Sequence, residues 1–330
     1  MLGFRRGKLG VAAAAMLGVL ALAVSACGGG SSTDGGSGGG QTIGVSVPTV
    51  SGPFFTAMLH GINEEAKKLG IGVKVMDAGG YENIDQQVTQ LQSLIVEKPA
   101  AILIDPADPT AIEAAVEQAK SAGINVLGSG DPVPNGTANV SSSHCDIGKA
   151  MAVGAKKLLP NGGTLAMLTG PAGATWTTDR LKCFKEDIAG SGIEIVAEKS
   201  SEPLVEEGIN IASDFLQRYP DLDLIYGADD TVGTGAAQAV KSAGKCGKTQ
   251  VLTAVLGTQI EGLMKEGCVQ YDVAQQTVLI GREAVQTANK LDNGEKLANT
   301  DIQVPLVPVT PANVDEVDTS TMRPAGEAKE

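Results

Sequence analysis

Side chains that commonly carry covalent chemistry are scarce in this 330-residue chain. It has only two histidines, His60 and His144, and neither belongs to an HExxH zinc motif. No nucleophile elbow of the GxSxG type follows a predicted strand. The run GKCGKT, residues 244–249, has Ser242 where a phosphate-binding loop requires glycine, and it leads into a strand instead of a helix. We therefore predict that the protein is not an enzyme and uses no cofactor or metal.

Four cysteines in the body of the chain could form disulfide bonds, and four cysteines allow three pairings. We predict bonds between Cys145 and Cys183 and between Cys246 and Cys268. Each bond would then join elements only one or two apart, and consecutive elements are usually neighbours in space. A zinc site is the alternative, but the chain has no CxxC pair or closely spaced His/Cys set to support it.

Any functional side chains must be positioned by the secondary structure, and the sequence predicts alternating strands and helices. Short runs rich in Val and Ile predict buried parallel strands, and apolar residues three and four apart predict helices between them. This alternation predicts two α/β units. In such sheets ligands bind beyond the carboxyl ends of the strands, so the residues that follow each strand are candidates for a site. The predicted strands are residues 42–47, 72–78, 100–106, 124–130, 163–170, 193–200, 222–229, 250–257 and 269–275.

The N-terminus has the pattern of a secretion signal, residues 1–26, in which basic residues precede a short apolar run. The signal ends in VSAC, which resembles the lipobox of bacterial lipoproteins and implies that Cys27 carries a lipid. The alternative is an ordinary secretory signal. Residues 27–40 are almost all glycine and serine and should form a flexible tether. We expect a protein outside the cytoplasm, anchored by lipid to the cell membrane, in the periplasm or at the cell surface.

The charge of the chain argues against one class of partner. The sequence contains 25 Lys and Arg against 38 Asp and Glu, a formal net charge of −13. No cluster of basic residues offsets this charge, and phosphate backbones are repelled by such a surface. Nucleic acid is therefore not an expected partner.

Six segments, taken together, resemble the ribose-binding protein family, the sugar-binding components of ABC transporters. The resemblance spans residues 41–315 approximately and implies the type I periplasmic binding protein fold, with two Rossmann-like lobes that have parallel sheets and a three-segment hinge. It implies one lobe of residues 41–142 and 277–303, another of 143–276 and 304–320, and a tail of 321–330. The six segments are SGPFF, ILIDPAD, GPAGATWTTDR, YPDLDLIYGADD, DVAQQ and PLVPVTPANVDEV.

The resemblance implies that the adjacent Phe54 and Phe55 sandwich a sugar ring, whose apolar C–H faces pack on aromatic rings. Phe55 also falls on an apolar helical stripe, so a core position is equally compatible with the sequence. Asp105 and Asp229 match ligand-binding polar residues, and Gln275 matches a hinge glutamine that touches the sugar. Helix capping is the alternative for such aspartates.

We assign the capping role to two neighbouring aspartates, Asp108 and Asp230, and the ligand role to Asp105 and Asp229. Trp176, the single tryptophan, could supply a second stacking face. Arg180 could reach a hydroxyl group or pair with a carboxylate.

The chain also departs from the family's pattern. Asp131 in GSGDP lacks the arginine that often follows it in the family, Thr178 stands where the family has a ligand arginine, and Leu256 replaces an aspartate. A hydroxyl facing Leu256 would lose a hydrogen bond worth about 0.5–1.5 kcal/mol. We expect the ligand not to be ribose itself. His144 could line the cleft or only cap the next helix.

The function predicted is that of a monomeric solute-binding component that delivers a small sugar or polyol to the membrane subunits of an ABC permease. Two alternatives remain open at this point. The carboxylates of Asp105, Asp131 and Asp229, with cation–π contact, could hold a small cationic amine. The protein could also be a sensor that signals to a membrane receptor, because both roles use the same closing motion.

Overall fold

The computed structural model describes residues 41–325. The predicted signal peptide, the predicted lipid attachment at Cys27 and the predicted tether therefore lie outside the described residues. The first elements are β1 Thr42–Val47, α1 Pro53–Leu69, β2 Gly72–Asp77, α2 Ile84–Glu97, β3 Ala101–Ile104, α3 Glu113–Ser121, β4 Asn125–Gly130 and β5 Ala138–Ser141.

The remaining elements continue the alternation. They are α4 His144–Leu158, β6 Gly163–Leu168, α5 Thr175–Ile188, β7 Ile193–Lys199, α6 Val205–Arg218, β8 Leu224–Gly227, α7 Asp230–Ser242, β9 Gln250–Ala254, α8 Thr258–Lys265, β10 Tyr271–Gln275, α9 Thr277–Asp292, β11 Asp301–Gln303, β12 Leu306–Val309 and a 3₁₀ turn Thr319–Thr321.

The strands form two sheets, as the sequence predicts. The first has the order β11-β5-β4-β3-β1-β2 and the second β12-β10-β9-β8-β6-β7. All neighbouring strands are parallel except β12, which runs antiparallel to β10. We call the parts built on these sheets the first and second lobes.

The chain passes between the lobes three times. The first crossing follows β5, because α4 packs against α5, β9 and β10 of the second lobe. The second follows β10, because α9 packs against α1 and β4 of the first lobe. The third is the short link between β11 and β12, which belong to different sheets.

The central strands β1, β3 and β4 are buried nearly throughout, as their apolar sequences predict. The prediction that β2 is equally buried is wrong. This strand is at the edge of the first sheet and is exposed or half-buried along its length. An edge strand has a neighbour on one side only, so Lys74 and Asp77 can stay in contact with water.

Both predicted disulfide bonds are present. Cys145, at the start of α4, is bonded to Cys183 of α5, with 5.2 Å between the Cα atoms. Cys246 is bonded to Cys268, with a Cα separation of 4.5 Å. Within residues 41–325, none of the helices combines the length and the apolar character that a membrane crossing requires.

Candidate ligand-binding site

A cavity of about 330 Å³ lies where the carboxyl ends of the strands of both lobes meet. This position follows from the general rule for open α/β sheets. All eight residues that the sequence analysis proposed for the ligand line it, and so does His144. The eight are Phe54, Phe55, Asp105, Asp131, Trp176, Arg180, Asp229 and Gln275.

Each side chain is placed by the end of a strand or the start of a helix. Phe54 and Phe55 are in the first turn of α1, directly after the Pro53 that begins the helix. Asp105 follows β3 and Asp131 follows β4, so the first lobe contributes two carboxylates side by side. From the second lobe, α5 supplies Trp176 and Arg180, the loop before α7 supplies Asp229, and β10 ends at Gln275.

The two phenylalanine rings do not lie parallel. Their centroids are 5.3 Å apart and their planes meet at 84°. Phe55 is buried in the core of the first lobe and also borders the cavity, so both interpretations of this residue hold. Phe54 is less buried. Gly130 has a φ of 102°, and a Cβ atom added there would meet both the Asp105 carboxylate and the Phe54 ring. A glycine at this position therefore leaves room for these two side chains to approach each other.

Tyr81 is a cavity residue that the sequence analysis missed. It lies in the loop between β2 and α2, and its ring centroid is 6.4 Å from that of Phe55 and 6.4 Å from that of Trp176. It packs against the cores of both lobes. Burial, and the nearby carboxylates of Asp105 and Asp131, raise the pKa of its hydroxyl well above the ordinary value. Its position just beyond a strand end was the available signal.

Asp105 is buried without a partner. Its side chain is 2% exposed, and its Oδ1 atom has no hydrogen-bond partner among the described residues. Burial, together with the charge of Asp131, raises the pKa of Asp105 well above its usual value. Gln87 of α2, another residue that the sequence analysis missed, fixes this loop. Its Nε2 donates to the Asp105 carbonyl at 2.8 Å, and its Oε1 accepts from the Ala107 amide at 2.8 Å.

A hydrogen-bonded chain of side chains joins the lobes through Asp131, His144 and Arg180. The Nη2 atom of Arg180 is 3.3 Å from Nδ1 of His144, and Nε2 of His144 is 2.5 Å from Oδ1 of Asp131. A guanidinium can only donate, so Nδ1 must accept, and Nε2 then carries the proton that it donates to Asp131. His144 therefore connects Arg180 with Asp131. Ser143, and not His144, caps α4.

Arg180 is held by several contacts at once. Its Nη1 atom donates to the Ala228 carbonyl at 2.6 Å, and its guanidinium carbon lies 4.7 Å from the centroid of the Trp176 ring. Burial lowers the pKa of Arg180, and nearby acidic groups oppose that shift. Helix α5 packs closely on α4 at two points. One is the Cys145–Cys183 bond, and the other is Gly148, where an added Cβ atom would clash with the Arg180 carbonyl.

The assignment of caps at the start of α7 is wrong. Asp229 is the cap, because its Oδ1 accepts from the Val232 amide at 2.9 Å. Asp230 is the first helical residue, and its Oδ2 has no partner in the described part of the chain. Burial and the neighbouring Asp229 and Asp272 raise the pKa of Asp230 well above its usual value. Asp108 does accept from backbone amides, those of Thr110 and Ala111, in the turn before α3.

The expectation that Leu256 faces the ligand is also wrong. Leu256 packs in the core of the second lobe, and the preceding residue, Val255, borders the cavity instead. Val255 has a φ of 71°, in the left-handed region that β-branched residues rarely adopt. Such a conformation costs about 1–3 kcal/mol. It turns an apolar side chain toward the cavity at this point of the wall.

Several polar atoms of the cavity residues are buried and have no partner within residues 41–325. Two are acceptors, Asp105 Oδ1 and Asp230 Oδ2, and three are donors, Trp176 Nε1, Arg180 Nε and Gln275 Nε2. Leaving a buried polar atom unpaired costs about 1–3 kcal/mol. A small molecule that both donates and accepts hydrogen bonds would satisfy both kinds.

Comparisons with known proteins agree with this arrangement. The family model described as "Periplasmic binding protein domain" matches residues 43–296. The ribose import binding protein of Bacillus subtilis is 31% identical over 269 residues, which are 80% of this chain and 86% of that protein.

Solved structures show the same fold. An ABC transporter solute-binding protein of Agrobacterium vitis with bound D-fucose has a TM-score of 0.81 and 26% identity, covering 86% of this chain and 99% of that one. One of Bacillus halodurans with bound myo-inositol has a TM-score of 0.78 and 26% identity, covering 85% and 98%. The fold, the cavity at the strand ends and these matches together show that the chain belongs to the periplasmic binding protein family.

Proposed function

We propose that the protein is the extracytoplasmic solute-binding component of an ABC importer and that it binds a small sugar or polyol between its two lobes. The observation that most directly supports this is the mixture of buried donors and acceptors without partners beside aromatic rings in one cavity. A hydroxyl group both donates and accepts, and the C–H faces of a sugar pack on aromatic rings.

The size of the cavity limits the ligand. A volume of about 330 Å³ is near the lower end of the roughly 300–1,000 Å³ range of small-molecule sites. The relatives named above are associated with ribose, D-fucose or myo-inositol, all small polyhydroxylated molecules. The absence of an arginine after Asp131 and the Thr178 in place of one support a ligand other than ribose.

The other parts of this proposal concern the whole protein. We infer a monomer that is anchored through lipid on Cys27, tethered by residues 27–40 and presented to the membrane subunits of a permease. The lobes would comprise residues 41–142 with 277–303 and residues 143–276 with 304–320. The three crossings of the chain at one end of the cavity support hinge closure. The family match supports binding, without catalysis, as the role of the cavity.

A thermal-shift screen of the mature protein tests the proposal. The panel contains pentoses, hexoses, polyols and their amino-substituted derivatives. A ligand at a hundredfold excess over its Kd adds about 2.7 kcal/mol of stability, which is readily measured. We expect at least one member to raise the melting temperature.

Two variants distinguish the loss of a carboxylate in the cavity from the loss of a carboxylate outside it. Asp105→Ala should abolish the shift, because Asp105 borders the cavity. Asp108→Ala, three residues further along in a surface turn, should preserve it. A panel with no active member, or a shift that survives in Asp105→Ala, would contradict the proposal.

A further inference from the structure

The cavity contains more negative groups than its own cation can balance. Among residues 41–325, four aspartates border it, Asp105, Asp131, Asp229 and Asp230, and so do two exposed glutamates, Glu82 and Glu202. Within the same range one guanidinium, that of Arg180, and no lysine borders it. In a low-dielectric site such a surplus is costly unless the ligand or bound protons compensate it.

Three of the four aspartates have a hydrogen-bond donor or a helix N-terminus beside them. Asp131 accepts from His144, Asp229 accepts from the amide of Val232, and Asp230 is at the positive N-terminal end of α7. Asp105 has neither a side-chain donor nor a helix end. Its Oδ1 atom is buried without a partner among residues 41–325. The charge of Asp131 acts on Asp105 and is repulsive.

Arg180 does not neutralise Asp105. Its donors are directed to the Ala228 carbonyl and to His144, and its plane lies near the Trp176 ring. The acidic groups that oppose the lowering of the Arg180 pKa include Asp131 and Asp229. The first-lobe side of the cavity therefore contains an acceptor that is negative when ionised and that has no cation beside it in the described chain.

The surroundings of Asp105 suit a cation. The Phe54 ring lies close to the Asp105 carboxylate, because a Cβ atom placed on Gly130 would contact both of them. The Tyr81 ring borders the same cavity, and the charge of Asp105 contributes to the raised pKa of its hydroxyl. Aromatic rings within about 6 Å attract an ammonium group through their negative faces, so a carboxylate flanked by such rings is well suited to bind one.

We propose that the sugar or polyol bound in this cavity carries a protonated amino group and that Asp105 binds this group. The inference rests on the proposed function and specifies its ligand class. The ammonium donates up to three hydrogen bonds and supplies the missing positive charge. The remaining hydroxyls meet the unpaired donors of Trp176 and Gln275 in the second lobe.

Matched ligand pairs test this assignment by calorimetry on the mature protein. Each pair consists of an amino sugar and its parent: D-glucosamine with D-glucose, D-galactosamine with D-galactose, D-mannosamine with D-mannose, and an amino-deoxy inositol with myo-inositol. We expect the amino member of at least one pair to bind about 10- to 100-fold more tightly, the effect of one charge-assisted hydrogen bond.

Asp105→Asn provides the residue-specific readout, because it preserves shape and removes the charge. It should erase the preference for the amino member. Asp108→Asn, a matched control outside the cavity, should preserve it. If the parent sugar binds as tightly as its amino derivative in every pair that binds, or if the preference persists in Asp105→Asn, the inference is overturned while sugar binding stays intact. Failure of every pair to bind would count against both proposals.

Discussion

At the scale of single residues, Asp229 shows how one carboxylate serves both a helix and a cavity. Its Oδ1 caps α7 while the residue borders the site. Asp229→Ala should lower the free energy of unfolding by about 0.5–2 kcal/mol in the absence of ligand. Asp229→Asn should lose much less, because asparagine is an equally good cap. Urea unfolding of the two variants checks this, and equal stability of both would contradict the capping role.

A second prediction at this scale concerns Asp272 of β10, which is fully buried with neither carboxylate oxygen paired among the described residues. Burial raises its pKa well above the ordinary 3.8. The folded state therefore holds this proton more tightly than the unfolded chain does. Between the ordinary and the raised pKa, stability falls as the pH rises.

Asp272→Asn should accordingly stabilise the protein at neutral pH, by about 1–3 kcal/mol, and flatten the pH dependence of unfolding. Denaturant unfolding across pH 4–8 measures both effects. Asp223→Asn is the control, because the Asp223 carboxylate accepts from the amide and hydroxyl of Thr164 and its loss should destabilise. An Asp272→Asn variant with an unchanged pH profile would refute this account.

Single residues also show which parts of the site could be predicted from the sequence and which could not. Residues after strand ends could be predicted to converge, because parallel strands share one carboxyl edge, and Asp105 and Gln275 did so. The division of roles between Asp229 and Asp230 could not, because the sequence does not fix the first residue of α7. Leu256 was expected to face the ligand, but Val255 borders the cavity instead, with a left-handed backbone conformation that a valine does not signal.

At the scale of elements, helices α4 and α5 supply several of the residues by which the second lobe borders the cavity. His144 begins α4, Trp176 and Arg180 are on α5, and the Cys145–Cys183 bond joins the two helices beside them. Replacing both cysteines by serine should cost about 2–5 kcal/mol of stability. It should also weaken ligand binding, because Arg180 and His144 lose a constraint on their relative position.

The second disulfide bond supplies the matched control. Cys246 and Cys268 precede β9 and β10, at the amino edge of the sheet and away from the cavity. Their double serine variant should lose stability with little change in affinity. Calorimetric titration and urea unfolding of both variants separate the two effects. Equal affinity losses in the two double variants would show that the first bond acts only on overall stability.

The elements that the sequence analysis missed share a physical cause. The strands β5, β11 and β12 have three or four residues each, and β11 is largely exposed. A run of three or four residues is too short to show the pattern of apolar residues that identifies a strand. Their pairing also depends on segments from far along the chain, as when Asp301 to Gln303 pair with Asn139 to Ser141. Longer central strands such as β4 were evident because burial on both faces makes them apolar.

At the scale of the whole molecule, the contact between Tyr81 and Trp176 spans the cleft from one lobe to the other. Trp176 is the only tryptophan in the sequence, so the tryptophan emission comes from a residue at this contact. Tyr81→Ala should reduce the emission change on ligand addition, speed ligand dissociation and weaken binding by about tenfold. Stopped-flow fluorescence measures all three.

Tyr219 provides a control of the same type in the second lobe, where its hydroxyl donates to the Val196 carbonyl at a distance from the cavity. Tyr219→Ala should leave dissociation unchanged even if it reduces stability. Equal dissociation rates in the wild type and in Tyr81→Ala would show that the aromatic contact does not contribute to closure.

The route of the chain through the two sheets has a consequence for the order of folding. The first lobe needs α9, which packs on α1, and β11, which extends its sheet beyond β5. During synthesis, residues 41–142 must therefore wait for about 160 further residues before their last partners emerge, which is roughly ten to thirty seconds at the usual elongation rates. Until then one edge of the sheet and one face of α1 stay uncovered, so we expect the first lobe to complete its folding only after the second lobe has been made.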